Sequence, residues 1–402
     1  MNARVRDIFV RGSGMTRFGL QLDRSLKELT AEAIQKALDD AATDRKEIDG
    51  VFFGNCLAGL VTGQEATRGP ITVMPAGFGE VPIHAVEAAC ASGADALHMA
   101  YMAIASGMHE TVLVVGAEKA NHADRQKSFA AYRGGLDVDE DIEKTFEATE
   151  GMGQNRTAAV DRHALIARRM MAAQGMTVED IAQLAAVGYR NAAANPNAHR
   201  GHGPTARDVL EDRVTTPPIT RLMMCPISDG ASALVVSADP GPSTPGSRIR
   251  IASSRSATRW RLDEAEGPSA IRTATTAAYS DAGIEVADIQ FAELHDASVA
   301  YLLLALVESG LCPAGEELSW IREGVTALDG RLPVNTSGGS LARGHAPGAT
   351  GVAQIHEVVS QFRGTAGGRQ IPGDPSIALA CVAGGTIRFE TAVAAAHVLV
   401  RE

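Results

Sequence analysis

The chain contains one pattern of elements written twice, and that repeat constrains the fold more than any other feature. In the first copy Ala33, Ile34, Ala37 and Leu38 form a helical stripe, Asp40-Ala41 follows, and Ile48 leads to a strand at Val51-Phe52-Phe53. In the second copy Ala274, Ala277 and Ala278 precede Asp281-Ala282, then Ile289 and a strand at Phe291-Ala292-Glu293-Leu294. The spacing from Asp-Ala to the following Ile is the same in both. A second matched stretch pairs a helix over Ala91 to Ser106 and the strand Thr111 to Val115 with a helix over Gly351 to Phe362 and the strand Ile377 to Ala380. Each copy closes on an apolar strand, Ala231 to Ser237 and Thr391 to Val398. Helices alternating with strands predict an α/β protein of packed layers, and the repeat predicts two stacked copies.

Between the copies, Asp239 to Gly246 carries three prolines and two glycines and is the clearest linker. The first copy is longer by a segment at about Asn121 to Thr205, acidic near Asp137 to Glu147 and helical from about Val160 to Ala194. The organisation expected is a first half over residues 1–120 and 206–240, an inserted lid or loop region over 121–205, and a second half over 248–402.

With 48 acidic against 37 basic residues the net charge is −11, which argues against a nucleic-acid or anionic-membrane surface. No apolar run reaches the length of a membrane span, and no signal core precedes Gly12. The tail Val400-Arg401-Glu402 is not a peroxisomal address. Cys56, Cys90, Cys225, Cys312 and Cys381 lie far apart with no zinc-type spacing, so free thiols, a cytoplasmic setting and no metal site are expected.

Cys90, in Glu87-Ala88-Ala89-Cys90-Ala91-Ser92-Gly93, falls where a helix should begin, and the positive end of a helix dipole favours thiolate. On its own that residue is better explained as a buried structural thiol. The run Ser337-Gly338-Gly339-Ser340-Leu341-Ala342-Arg343-Gly344-His345-Ala346-Pro347-Gly348 precedes the matching helix of the second copy and puts His345 at its entrance, placed to accept a proton. It lacks the Gly-Lys-Ser/Thr ending of a phosphate loop, and Gly12-Ser13-Gly14 after the first strand lacks the third glycine of a dinucleotide site. Cys381 is expected to end a buried strand and open the glycine turn Gly384-Gly385, and His295-Asp296 to sit at another strand end.

Together Cys90 before a helix, His295-Asp296, Gly344-His345 with Gly348-Ala349-Thr350-Gly351, Ser228-Asp229-Gly230-Ala231 and Cys381 with its glycines resemble the thiolase superfamily over nearly the whole chain. His-Asp and Gly116-Ala117-Glu118-Lys119 resemble most its sterol-carrier-protein-2-type branch. The resemblance implies two βαβαβαββ halves stacked as five layers (αβαβα). It implies that Cys90 is an acyl-carrying nucleophile, His345 its base and Cys381 the acid/base for the α-proton of a second thioester. His295 with His345, and the backbone N–H groups of Cys90 and Ala383, would form two oxyanion holes. Ser337, Gly338 and Gly339 would lie near coenzyme A or the acyl group. The substrates implied are acyl-CoA and CoA, with no bound cofactor, in thiolysis of a 3-oxoacyl-CoA or the reverse Claisen condensation.

Three positions depart from the family pattern. Ala346 and Ala383 stand where Pro and Gly are usual, and Ser298 replaces an aromatic residue, which points to an unusual acyl substrate. An aldolase or acyltransferase of the same branch is the enzyme alternative, against which Cys90 counts, and a CoA- or lipid-binding scaffold is the non-enzyme one. A homodimer or dimer of dimers is implied, and members of this branch often pair with a small zinc-bearing OB-fold protein.

Overall fold

The computed structural model describes residues 6–139, 157–241, 248–258, 267–387 and 390–402. Residues 140–147 of the acidic stretch and 242–246 of the linker lie outside the described residues.

The strands are β1 (Phe9–Met15), β2 (Gly50–Gly54), β3 (Ile83–Val86), β4 (Thr111–Glu118), β5 (Val214–Thr216), β6 (Ile219–Thr220), β7 (Gly230–Ser237), β8 (Ile249–Thr258), β9 (Phe291–Leu294), β10 (Ile377–Ile387) and β11 (Glu390–Arg401). Apart from the small β5–β6 pair they lie in the order β3-β2-β4-β7-β1-β8-β11-β10-β9. The two halves of this order mirror each other. In the first, β2 runs parallel to β3 and β4, while β7 is antiparallel to β4 and β1. In the second, β9 runs parallel to β10 and bridges Val334 in parallel, while β11 is antiparallel to β10 and β8. The halves touch edge to edge at Phe9 and Arg250. β4, β7 and β10 are almost wholly buried apolar runs, as strands covered on both faces must be.

Helices complete the layers. The Leu26–Ala41 helix opens with a Ser25–Glu28 capping box and buries Leu29, Ala33, Ile34, Ala37 and Leu38 against β2, β4 and β7. Gly12 and Gly14 of β1 lie beneath it; a Cβ on Gly12 would sit 2.4 Å from the Ala41 nitrogen, so these glycines serve helix-on-strand packing. The Ala270–Ala282 helix has the equivalent place on the second half. Between the sheets run the Ser92–Ala105 and Pro347–Phe362 helices, and the second of these is buried nearly all round. The arrangement is the five-layer α/β stack that the resemblance implies.

Three local expectations change. β10 does not stop at Cys381 but runs on to Ile387, because Thr386 pairs with Gly135 and Asp137 from the neighbouring loop and gives the strand end a partner. The helix expected from Gly351 starts at Pro347, a residue whose fixed φ and missing N–H suit the first helical turn. The helical stretch after Val160 is two helices, Ala158–Gln174 and Val178–Ala193, parted where Gly175 (φ 67°) ends the first and a Thr177–Asp180 capping box opens the second.

The two central helices cross on glycine. A Cβ on Gly93 would lie 2.4 Å from the Gly348 carbonyl oxygen, and one on Gly351 would lie 2.5 Å from the Ala94 nitrogen; Gly116 of β4 lets the same carbonyl approach the sheet. Gly93→Ala is therefore expected to cost about 1–3 kcal/mol, the scale of core overpacking. Gly19→Ala, with nothing within 4 Å of its Cβ, should leave stability unchanged. Urea unfolding midpoints compare the two, and equal midpoints would refute the tight crossing.

Candidate active site

Cys90 sits in a 3-10 turn, Ala89–Ala91, directly ahead of the Ser92–Ala105 helix. The turn is fixed by buried Ser92, whose hydroxyl donates to the Ala89 carbonyl (2.6 Å) and accepts from the Ala88 N–H (2.9 Å). Ala89 itself is left-handed at φ 48°, an uncommon conformation for a residue with a side chain. His345 stands in the same relation to the Pro347–Phe362 helix, two residues before its start. Its carbonyl accepts from the Ser228 N–H (3.0 Å), and left-handed Gly344 (φ 116°) turns the chain into place. The pseudo-repeat thus brings two equivalent helix entrances together, with His345 Nε2 3.1 Å from Cys90 Sγ.

Hydrogen bonding assigns the tautomer. Thr350, one turn into the helix, donates its hydroxyl to the Ala346 carbonyl (3.1 Å) and so accepts from His345 Nδ1 (2.9 Å). With the proton on Nδ1, Nε2 offers its lone pair to the thiol. Burial pushes the Cys90 thiol up to about 12, helped by the negative charges of Glu118 and Glu87. His345 is held well below its ordinary range by burial and by the neighbouring His295 and Arg343. Thiol and imidazole are therefore both neutral at rest, and the proton moves only when attack on an electrophile draws it.

His295 follows β9 and donates its backbone N–H to the Cys381 carbonyl (2.9 Å). Its ring lies 5.2 Å from that of His345 and 5.3 Å from that of Tyr301, centre to centre. Cys90, His295 and His345 each bring one donor atom within 4.8 Å of the others. Burial lowers His295 to about 3, so its ring is neutral, and its Nδ1 has no hydrogen-bond partner among the described residues. A buried polar nitrogen left unpaired costs about 1–3 kcal/mol, a cost that a ligand would offset. Asp296 turns the other way: it accepts from the Ser340 N–H (2.6 Å) and caps the short Gly339–Ala342 helix.

Ala383 also reaches the site. Next to it, Gly384 lies against the nucleophile's turn, where a Cβ would stand 3.1 Å from the Cys90 nitrogen. Cys381 lies just behind the cavity wall. Alternation along β10 sends Val382 toward Ala91 and Ala94 and puts Cys381 on the face of cavity-lining Ala383, in the apolar cluster of Leu294 and Tyr301, where burial pushes its thiol up to about 12. Ser337, Gly338 and Gly339 are buried as well and lie off the cavity wall. Ser337 donates to Glu293 (2.7 Å), while a Cβ on Gly338 or Gly339 would collide with Ala192 or Asp296. Their glycines serve close packing.

The site opens into a cavity of about 600 Å³. Its wall includes residues that the sequence did not single out, among them Tyr301, Arg162 and His163. His163 Nδ1 meets Ser298 Oγ at 2.5 Å. No motif marks Arg162 and His163, since the Ala158–Gln174 helix that carries them meets the Ser298–Tyr301 turn only through the fold.

The sequence agrees with this geometry. Residues 8–201 match the family model for the thiolase N-terminal domain, and residues 254–397 match the thiolase C-terminal domain-like model. The chain belongs to the thiolase family. It is 34% identical to an acetyl-CoA acetyltransferase of Methanothermobacter thermautotrophicus (92% of this chain, 94% of the relative). It is 31% identical to a benzoylsuccinyl-CoA thiolase subunit of Thauera aromatica (95% and 96%) and 28% identical to human sterol carrier protein 2 (92% and 69%). The solved Ltp2-ChsH2(DUF35) aldolase superposes over 99% of both chains, with a TM-score of 0.77 and 26% identity. This thiolase is accordingly an acyltransferase.

A resting thiol that ionises only far above its ordinary range gives a clear alkylation profile. The rate of Cys90 modification by iodoacetamide, followed by peptide mass spectrometry, should keep rising through about pH 10. A plateau below about pH 8 would show a preformed thiolate–imidazolium pair instead.

Proposed function

We propose that this thiolase cleaves a 3-oxoacyl-CoA with CoA, or condenses two thioesters in reverse, through an acyl group carried on Cys90. The observation that carries the reading is the 3.1 Å contact between Cys90 Sγ and the unprotonated Nε2 of His345. As Sγ attacks the thioester carbonyl, His345 takes the thiol proton, and it returns that proton to the leaving CoA sulfur. The buried, unpaired nitrogen of His295 supports a donor role toward the oxygen on which negative charge collects. The N–H groups of Cys90 and Ala383 are assigned the second oxyanion hole, supported by the contact of the Gly384 strand with the Cys90 turn. Cys381 is assigned the α-proton of the second thioester by similarity.

Coenzyme A enters where exposed Arg125 and Arg213 flank the cavity mouth as counter-charges for its phosphates. The retained thiol–imidazole pair favours acyl transfer over aldol cleavage and over a scaffold without chemistry. A homodimer is supported by β3, an edge strand with no partner on its outer side among the described residues, and by exposed Met99 and Met102 on the adjoining helix. The two-component name of the aldolase neighbour supports a small partner protein as well.

Intact-protein mass spectrometry after mixing with acyl-CoAs should show one acyl mass on the wild type and none on Cys90→Ala. His345→Ala should acylate about 10²–10⁴-fold more slowly. Mass gain on Cys90→Ala would refute the assignment. Cys381→Ser should still take up the acyl group and yet fail in condensation, and condensation at the wild-type rate would remove Cys381 from the reaction.

A further inference from the structure

The spacing of the cysteines predicts no metal site, but the fold gathers a group of side chains that spacing cannot show. Cys90, His295 and His345 come from three separate places: the turn before the Ser92–Ala105 helix, the end of β9, and the loop before the Pro347–Phe362 helix. Each offers one ligand atom, and the three atoms lie within 4.8 Å of one another. The sulfur and His345 Nε2 are 3.1 Å apart. In a tetrahedral zinc site, bonds of about 2.3 Å to sulfur and about 2.0–2.1 Å to nitrogen put neighbouring ligand atoms about 3.3–3.6 Å apart. Small side-chain rotations bring the three to that spacing.

The donor set suits one class of cation. A sulfur and two imidazoles favour zinc and its thiophilic relatives, whereas magnesium and calcium require oxygen ligands and receive none from these three. His345 Nδ1 donates to the Thr350 hydroxyl (2.9 Å), which fixes the ring and aims the Nε2 lone pair inward, as outer-sphere hydrogen bonds do for imidazole ligands. The His295 ring keeps a buried nitrogen that no described residue engages. All three side chains line the cavity, which leaves the fourth tetrahedral position to water. Cys56 and Cys225 line it too, yet neither belongs to the group.

We propose that Cys90, His295 and His345 form a zinc-binding site, and that zinc bound there holds the enzyme inactive by taking the sulfur of the nucleophile and the nitrogen of the base as ligands. This regulation rests on the thiolase reading above, because the atoms it occupies are those that acyl transfer uses. On binding, the Cys90 S–H bond breaks, a sulfur–zinc bond forms in place of a zinc–water bond, and the proton passes to solvent. Nothing is oxidised or reduced, so a chelator that withdraws the metal restores the thiol with a proton from water. An acyl group on Cys90 leaves no thiolate to bind metal, so zinc and substrate exclude each other.

The test titrates the protein with cobalt(II), a coloured stand-in for zinc, and then with zinc at free concentrations fixed by a chelator. The wild type should show the intense visible bands of a four-coordinate ion and a near-ultraviolet thiolate band. Cys90→Ala should lose the thiolate band, and Cys225→Ser should keep it. His295→Ala should bind zinc more than about 100-fold less tightly, beyond the range for loss of an outer-sphere partner. Acylating the wild type with acetyl-CoA beforehand should block cobalt without any substitution, a readout that stands even where a variant misfolds. Zinc should slow acylation of Cys90 in step with its occupancy, and EDTA should restore the rate. A six-coordinate spectrum, a thiolate band that survives in Cys90→Ala, or unchanged affinity in His295→Ala overturns the proposal. Tight zinc in a protein that accepts no acyl group would keep the metal site and remove the thiolase reading. Acylation at full rate with zinc bound would overturn the inhibition and leave that reading in place.

Discussion

The close approach of the two central helices is the contact on which the rest of the site depends. Gly93, Gly348 and Gly351 let backbone meet backbone, and no side chain stands between them. A nucleophile and a base set one turn outside that crossing inherit its precision, because their separation is set by main chain and not by flexible side chains. Buried Glu118 reinforces it. Its carboxylate accepts from the Cys56 and Leu57 N–H groups of one loop and from the Gly348 N–H of the second central helix, joining the halves at the point where Cys90 and His345 meet. Those N–H groups offset part of the cost of burying the charge, although burial still raises the Glu118 carboxyl above its ordinary range.

The same carboxylate works against a resting thiolate. A negative charge beside Cys90 and a desolvated imidazole both favour the neutral pair, so the sulfur is held ready and not ionised. The helix entrance ahead of Ser92 supplies a favourable dipole, but at this depth desolvation outweighs it. Reactivity then depends on a bound thioester whose developing oxyanion meets donors.

Much of this was legible in the sequence, and what was missed has a common cause. The stripe of Ala33 to Leu38 and the strand Phe291 to Leu294 announce themselves by period, and Cys90 and His345 by position ahead of matching helices. Gly338 and Gly339 misled because a glycine that admits a ligand and one that admits Ala192 or Asp296 look the same in one dimension. The strand carrying Cys381 runs past its expected end for a like reason: the glycines suggest a turn, whereas Thr386 pairs with a loop distant in sequence, which no local pattern reports. His163 meets Ser298 and Arg162 meets Tyr301 only across tertiary contacts, which no local pattern reports.

That thiol and imidazole come from different repeats limits how such a molecule can breathe. A hinge between the halves, the usual way for a two-part enzyme to admit and seal a substrate, would pull Sγ from Nε2 on every opening stroke. Entry and exit are then left to the margins of the cavity, while the seam stays shut. Such a body separates its labours: selectivity can be rewritten along one wall without retuning the pair that reacts.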